Sequence, residues 1–407
     1  MSKRKEARKE PVKGPVRYVQ TKLFHAEPKP QPPRNQPACS RQSLFARALL
    51  LAGPLPIQDV CDIVTDYSQD LGGVFLHALN TGRVNKFAAL PGGKLASCGE
   101  DCMVRVWDPT NGKQLLTLAG HTDWVGCMAV LPEYKLASGS FDATVRVWDL
   151  HSGACLFTLS GHTHNVHSLA VLPDKLASGS FDMTVRVWDI QSGACLFTLA
   201  GHTSYVVALA VMPSGKLVSG SNDTTVRVWD MSRAGVNSCV STCVSTCMFT
   251  LAGHTSWVGG LCVLDGKLVA TGASLDEAVR IWDTESGTCL LTLKGHTDYV
   301  RTVAALPHGK LASGSADKTV RVWDAASGMC VLTLAGHTGS VNDLAVLPSG
   351  NLVSCANDYT VRVWDTESGV CLLTLAGHTN VSVYALAVLS DGKLVSASSD
   401  KTARVWI

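Results

Sequence analysis

A histidine, a serine and an aspartate recur together along most of this chain, and out of context they are the side chains of a hydrolase triad. His162, Ser178 and Asp182 form one such set, followed by Trp188. In triad chemistry the carboxylate orients the imidazole, which takes the serine proton as the hydroxyl attacks a carbonyl. Two further sets keep nearly the same spacing: His202, Ser219, Asp223 and Trp229, and then His296, Ser313, Asp317 and Trp323. So do His121/Ser138/Asp142/Trp148, His337/Ser354/Asp358/Trp364 and His378/Ser396/Asp400/Trp406. A single catalytic site would not be needed six times, and no Gly-x-Ser-x-Gly elbow accompanies any copy. The expected role is structural. Buried polar groups must be hydrogen-bonded, and an orphan costs ~1–3 kcal/mol, so such a set would pin a loop in place.

Other chemistries fare no better. Gly-Lys pairs at Gly93-Lys94, Gly215-Lys216, Gly266-Lys267, Gly309-Lys310 and Gly392-Lys393 are followed by Leu, never by Ser or Thr. They lack the upstream glycine of a phosphate loop and read as hairpin turns. No His-Glu-x-x-His or dinucleotide fingerprint occurs. Among 15 cysteines, Cys155, Cys195, Cys289, Cys330 and Cys371 share one repeat position and are expected to behave as small buried hydrophobes. Cys239, Cys243 and Cys247 are spaced by a tandem VSTC duplication, which is not the Cys-x-x-Cys of a zinc site. No catalytic residue, metal site or cofactor is expected, and the chain reads as a non-enzyme.

The elements that carry these residues follow from one unit. Lys175–Thr203 and Lys135–Thr163 differ at four positions in 29, and looser copies continue to the C-terminus. The landmark tryptophans Trp107, Trp148, Trp188, Trp229, Trp282, Trp323, Trp364 and Trp406 are 40–42 residues apart, save one step of 53 that holds the insertion Met231–Cys247. Such a period is the signature of a repeat architecture. Each unit reads as four short strands: Val166–Leu172, Lys175–Ser180, Thr184–Trp188 and Cys195–Leu199, with turns near Pro173-Asp174 and at Asp182. Strands of five to seven residues with turn signals every eight to twelve predict antiparallel β-structure.

Gly-His, a turn Asp and Trp-Asp in constant register resemble the WD-repeat β-propeller family over about four-fifths of the chain. The resemblance implies an all-β propeller in which His, Ser, Asp and Trp link the Gly-His loop to the second and third strands. It also makes the strand after Trp-Asp the outermost of its blade. Eight inner triplets end at the eight tryptophans, but seven outer strands follow them. Gly73–Leu79 has the character of an outer strand and is expected to close the ring beside Lys401–Ile407. A single eight-bladed propeller over 73–407 is therefore expected, seven blades requiring an irregular first triplet. Two units depart from the pattern: the first has Asn80-Thr81-Gly82 in place of Gly-His, and the fifth puts Thr271 off register.

Ahead of the repeats, residues 1–43 are basic and proline-rich, and read as a disordered tail. Twelve Lys/Arg against three Glu fall within residues 1–47. Residues 44–71 predict a short helical segment, with Ile57, Val60, Cys61, Val64 and Tyr67 on one face. No apolar run reaches the ~18 residues that span a bilayer, so no membrane partner is expected. The chain reads as cytoplasmic, with a nuclear alternative from Lys3-Arg4-Lys5.

Positions that vary between near-identical repeats are free to carry function. They follow Gly-His-Thr and precede the turn Asp. The resemblance places both loops on one face around the channel, where Trp124, Phe141, Phe181, Tyr205, Trp257 and Tyr299 would form an aromatic ring with Asn165, Asp123 and Asp298. The expected function is a protein-interaction scaffold, a monomeric propeller within a larger complex, binding a protein or peptide. Asp123 and Asp298 suggest a partner with Lys or Arg. The alternatives are a ubiquitin-ligase substrate receptor docking through residues 44–71, and a nucleic-acid-associated protein using the basic tail.

Overall fold

The computed structural model describes residues 74–76, 83–231, 247–272, 277–378 and 381–406. The chain divides into two units, Met1–Leu55 and Pro56–Ile407, and every described residue belongs to the second. The tail expected at 1–43, the helix expected at 44–71 and residues 232–246 of the insertion lie outside the described residues.

Strand-forming runs appear where the repeat placed them, as Val166–Leu172, Lys175–Ser180, Val185–Asp189 and Cys195–Leu199 in the representative unit. The second strand is built from small residues for a reason. A Cβ on Gly179 would stand 2.6 Å from Ser168 Oγ and 2.8 Å from Val206 Cγ1 of the next unit, so a side chain there would push neighbouring sheets apart. The third strand alternates valine with arginine, and Val185, Val187 and Trp188 are all buried. The outer strand of the unit is only half-buried along most of its length.

These strands assemble into four-stranded antiparallel sheets. Seven are blades of four consecutive strands, at 84–118, 125–159, 166–199, 206–251, 258–293, 300–334 and 341–376, numbered 1 to 7 here. The remaining sheet is composite: Val383–Val388, Leu394–Ser398 and Ala403–Trp406 are completed by Val74–Leu76 from the start of the repeat array. Val74 pairs with Val405, Phe75 with Arg404 and Leu76 with Ala403. The innermost strands contact each other in chain order, and Val383–Val388 returns to Val84–Leu90, so the ring is shut.

The expectation of one eight-bladed propeller is thereby corrected. Among the described residues there are seven self-contained blades, and the last repeat does not make a blade of its own but shares a sheet with the distant strand Val74–Leu76. Among the described residues there is no α-helix, only a 3-10 turn at Pro91–Gly93. No helix among them is long and apolar enough to cross a membrane.

The hydrophobic core is divided among the interfaces. One cluster joins Leu172, Val185, Val187 and Leu199 of blade 3 to Val206, Leu217 and Trp229 of blade 4. Another joins Val84, Phe87, Leu95 and Trp107 of blade 1 to Val395, Ala403 and Val405 of the closing sheet. Each of the eight landmark tryptophans is thus a plug between neighbours, and truncating one costs on the order of 3–5 kcal/mol.

Every innermost strand is interrupted at the same point. Register shifts by one residue after its first valine, between Val166 and Ser168 in blade 3 and at the equivalent place in all the sheets. A β-bulge of this kind re-aims one side chain.

Candidate functional site

The His-Ser-Asp-Trp sets are joined in space as the sequence suggested. In the six complete sets His Nδ1 lies 2.7–2.8 Å from Asp Oδ2, His Nε2 2.7–2.9 Å from Ser Oγ, and Trp Nε1 2.7–2.8 Å from the same Oγ. In blade 4 the serine is Ser219, 2.7 Å from His202 and 2.8 Å from Trp229. In blade 6 it is Ser313, 2.7 Å from His296 and 2.8 Å from Trp323. One assignment satisfies every group: Trp N–H donates to the serine, the serine hydroxyl to His Nε2, and His Nδ1–H to the carboxylate.

Burial decides against any surface or catalytic role for these serines. Ser178, Ser219 and Ser313 are each 0% exposed, as are Ser138, Ser354 and Ser396, so neither a partner nor a substrate carbonyl can reach the hydroxyl. The histidines are buried as well, with His162 and His202 at 7% and His296 at 4%. Ser219 and Ser313 therefore belong to the interior of the blades. The arrangement holds loops; it cannot perform acyl transfer.

The carboxylates are heavily engaged. Asp182 also accepts from the amides of Thr163 and Thr184 and from the Thr184 hydroxyl. Burial pushes its carboxyl up, but the His162 and Thr184 hydrogen bonds and the His162 charge outweigh that, and it ends well below the ordinary range. Asp142, Asp223, Asp358 and Asp400 are lowered against burial in the same way, through His121, His202, His337 and His378.

The irregular units show what the pattern requires. In blade 1 Trp107 still donates to Ser97 at 2.8 Å, while Arg105 bonds Asp101 at 2.6 Å. In blade 5 the register pairs Ala270 with Arg280, so alanine stands where other blades carry the serine. Trp282 Nε1 is buried there without a hydrogen-bond partner. The departure noted at Thr271 therefore traces to its neighbour.

The Gly of Gly-His has its own cause. Gly161 sits at φ +152, and a Cβ on it would lie 2.6 Å from Arg186 Nη1. That guanidinium rests over Trp188 and reaches Cys195 Sγ at 3.6 Å. The same Arg–Cys contact recurs at Cys155, Cys247, Cys330 and Cys371. These cysteines are not the buried hydrophobes expected: Cys155 and Cys289 are exposed and the others half-buried, on outer strands. Cys239 and Cys243 lie outside the described residues.

The two variable loops do meet. The amide before each turn Asp donates to the second residue after Gly-His-Thr: Phe141 to Trp124 O, Phe181 to Asn165 O, Asn222 to Tyr205 O and Ala316 to Tyr299 O, at 2.8–3.0 Å. Side chains then form an arc across blades 2 to 4. Trp124 meets Phe141 at 5.8 Å, Phe141 meets Phe181 at 6.5 Å, and Phe181 stacks on Tyr205 at 4.4 Å. Trp124 and Tyr205 remain 43% and 41% exposed. Trp257, also exposed, makes no ring contact among the described residues, and Tyr299 instead pairs with Arg301, whose Nη2 donates to its hydroxyl at 2.9 Å. The expected ring is an arc with two outlying members.

The bulged residues supply what sequence reading missed. They line a central channel of about 710 Å³. One half of its wall carries Asn85, Arg301, Asn342 and Tyr384, joined by Arg83 and Lys86; the other carries Gly126, His167, Val207 and Gly259 beside Trp124 and Phe141. Several also latch neighbouring sheets: Asn85 Nδ2 donates to Val125 O at 3.1 Å, His167 Nδ1 to Val207 O at 3.1 Å, and Asn342 Nδ2 to Val383 O at 2.7 Å. Desolvation and the nearby Lys86 charge lower the His167 pKa against the opposing Val207 carbonyl. The signal was present, since the residue after the first valine differs in units that otherwise match, as in Val125-Gly126 and Val166-His167.

A family model described as WD domain, G-beta repeat matches the chain at residues 73–108, 112–149, 153–189, 193–230, 245–283, 287–324, 328–365 and 369–406. Each match runs from an outer strand to the third strand of the following sheet, one strand out of phase with the blades. No curated protein sequence matches the chain at a significant level. Among solved structures it is similar to the crystal structure of the computationally designed Ika8 protein, with TM-score 0.73 and 30% identity, covering 82% of this chain and 99% of that one.

Proposed function

The chain belongs to the WD-repeat family, and from that premise we propose that it is a non-catalytic interaction scaffold that engages a protein or peptide at the channel mouth. The family's propellers generally serve as protein-interaction scaffolds. The observation that carries the reading here is the aromatic arc. Exposed Trp124 and Tyr205 flank Phe141 and Phe181 beside the channel, with Tyr205 stacked on Phe181, leaving large apolar faces in water where a partner would cover them. Rigid aromatics of this kind are the usual anchors of interfaces.

The test compares partners cross-linked to full-length wild type, to Trp124→Ala/Tyr205→Ala, and to Met329→Ala/Val331→Ala on the exposed outer rim. Unfolding midpoints monitor folding in each. Partners should be lost from the first variant alone. Loss from the rim variant alone, or only from a chain lacking residues 1–71, would remove the channel face from consideration.

A further inference from the structure

Resting on that scaffold reading, we infer that the channel mouth receives an acidic peptide segment, one carboxylate set beside an aromatic or large apolar residue. The bulges give the channel two chemically different walls. Arg83, Lys86 and Arg301 line one of them, and among the described residues none has a carboxylate partner. The two guanidiniums are held by neutral groups instead. Arg301 donates to Asn342 Oδ1 and to the Tyr299 hydroxyl, each at 2.9 Å, and Arg83 lies over the Tyr384 ring at 4.4 Å. Bracing of this kind fixes a guanidinium without neutralising it, which leaves its charge for a ligand. A preorganised arginine fork suits a carboxylate, and a concave site concentrates its field.

The acidic groups nearby do not cancel the effect. Asp343 is committed to the amides of Leu344 and Leu386, at 2.9 and 3.0 Å. Asp123 and Asp298, from which a basic partner was expected, each accept the amide that follows them, at 2.7 and 2.8 Å. They cap their own loops. Neither Asp123 nor Asp298 lines the channel. Among the residues that do, Arg83, Lys86 and Arg301 outnumber Glu100 and Asp343, so the lining carries a net positive charge, opposite in sign to what those two aspartates suggested. Glu100 and Asp343 share the cavity wall with the cations, an arrangement that suits a single negative charge better than a dianion. Across the channel, Trp124, Phe141 and Val207 offer apolar surface for the neighbouring side chain.

Selection of displayed random peptides on the full-length chain tests this, with affinities then read by fluorescence polarisation. Peptides selected on wild type should carry Asp or Glu next to an aromatic or large apolar residue. Their binding should weaken with salt, and should fall by about tenfold or more in both Lys86→Glu/Arg301→Glu and Trp124→Ala/Tyr205→Ala. The milder Lys86→Gln and Arg301→Gln should each show a smaller loss, which serves if the charge reversal fails to fold. Basic or neutral peptides that still need Trp124 and Tyr205 would overturn the acidic-segment inference and leave the scaffold reading standing. Phosphoserine in place of glutamate binding about tenfold tighter would overturn it in favour of a phosphate receptor. If nothing selected depends on either set of residues, both readings fail.

Discussion

Ser178 is the smallest member of its network and the one on which the others turn, because it accepts from Trp188 and serves His162. Ser178→Ala would leave a buried indole N–H and an imidazole nitrogen unpaired, at about 1–3 kcal/mol for each orphan. The unfolding midpoint is expected to drop accordingly, with no gain or loss of hydrolytic activity. Ser219 and Ser313 stand in the same position between Trp and His, so their alanine variants should cost a similar amount. The molecule already contains the reverse experiment. Blade 5 carries Ala270 at that position and leaves Trp282 Nε1 unpaired. Ala270→Ser should therefore stabilise the protein by about 1 kcal/mol in chemical denaturation. If it does not, the serine matters for something other than pairing the indole.

Among the elements, the short strand Val74–Leu76 does a disproportionate share. It covers Ala403–Trp406, which would otherwise be an open sheet edge, and edges of that kind template aggregation. A chain lacking residues 74–76 is expected to lose most of its soluble yield; a monomeric product with an unchanged unfolding midpoint would show that the edge is tolerated. The ordinary strands were legible in the sequence because a pleat advertises itself through alternation and turn residues. The networks were legible because polar residues recurred in step with Trp. What escaped was the bulge. One extra residue leaves hydrophobic alternation almost intact, so Asn85, His167, Arg301 and Tyr384 read as ordinary strand positions. The local bonding of Asp123 and Asp298 escaped for a related reason: exposed aspartates look unengaged in sequence, while each accepts the amide that follows it.

At the scale of the molecule, the same carboxylates repeat around the ring and their proton linkage adds. Asp142, Asp182, Asp223, Asp358 and Asp400 have folded pKa values below those of the unfolded chain, and Asp317 is lowered too. Their contribution to stability is full above the unfolded carboxylate pKa, about 4, and is lost as pH falls below it, since the unfolded state takes up protons first. Burial lowers His296 against the pull of Asp317, which extends a weaker loss upward toward pH ~6.5. Thermal unfolding should accordingly show a shallow decline from about pH 6.5 and a steep one below about pH 4. A midpoint that stays level down to pH 3 would mean that the folded carboxylates are not held as these bonds imply.

The composite sheet also sets an order of events during synthesis. Blades 1 to 7 each complete within a single stretch of emerging chain, but Val74–Leu76 leaves the ribosome first and must wait for Ala403–Trp406. At roughly 5–20 residues per second, that interval is on the order of 15–65 s. Throughout it the strand that closes the ring has no sheet to join. Seven other sequences of similar character are being made behind it, so fidelity depends on each finding its own blade before that strand can.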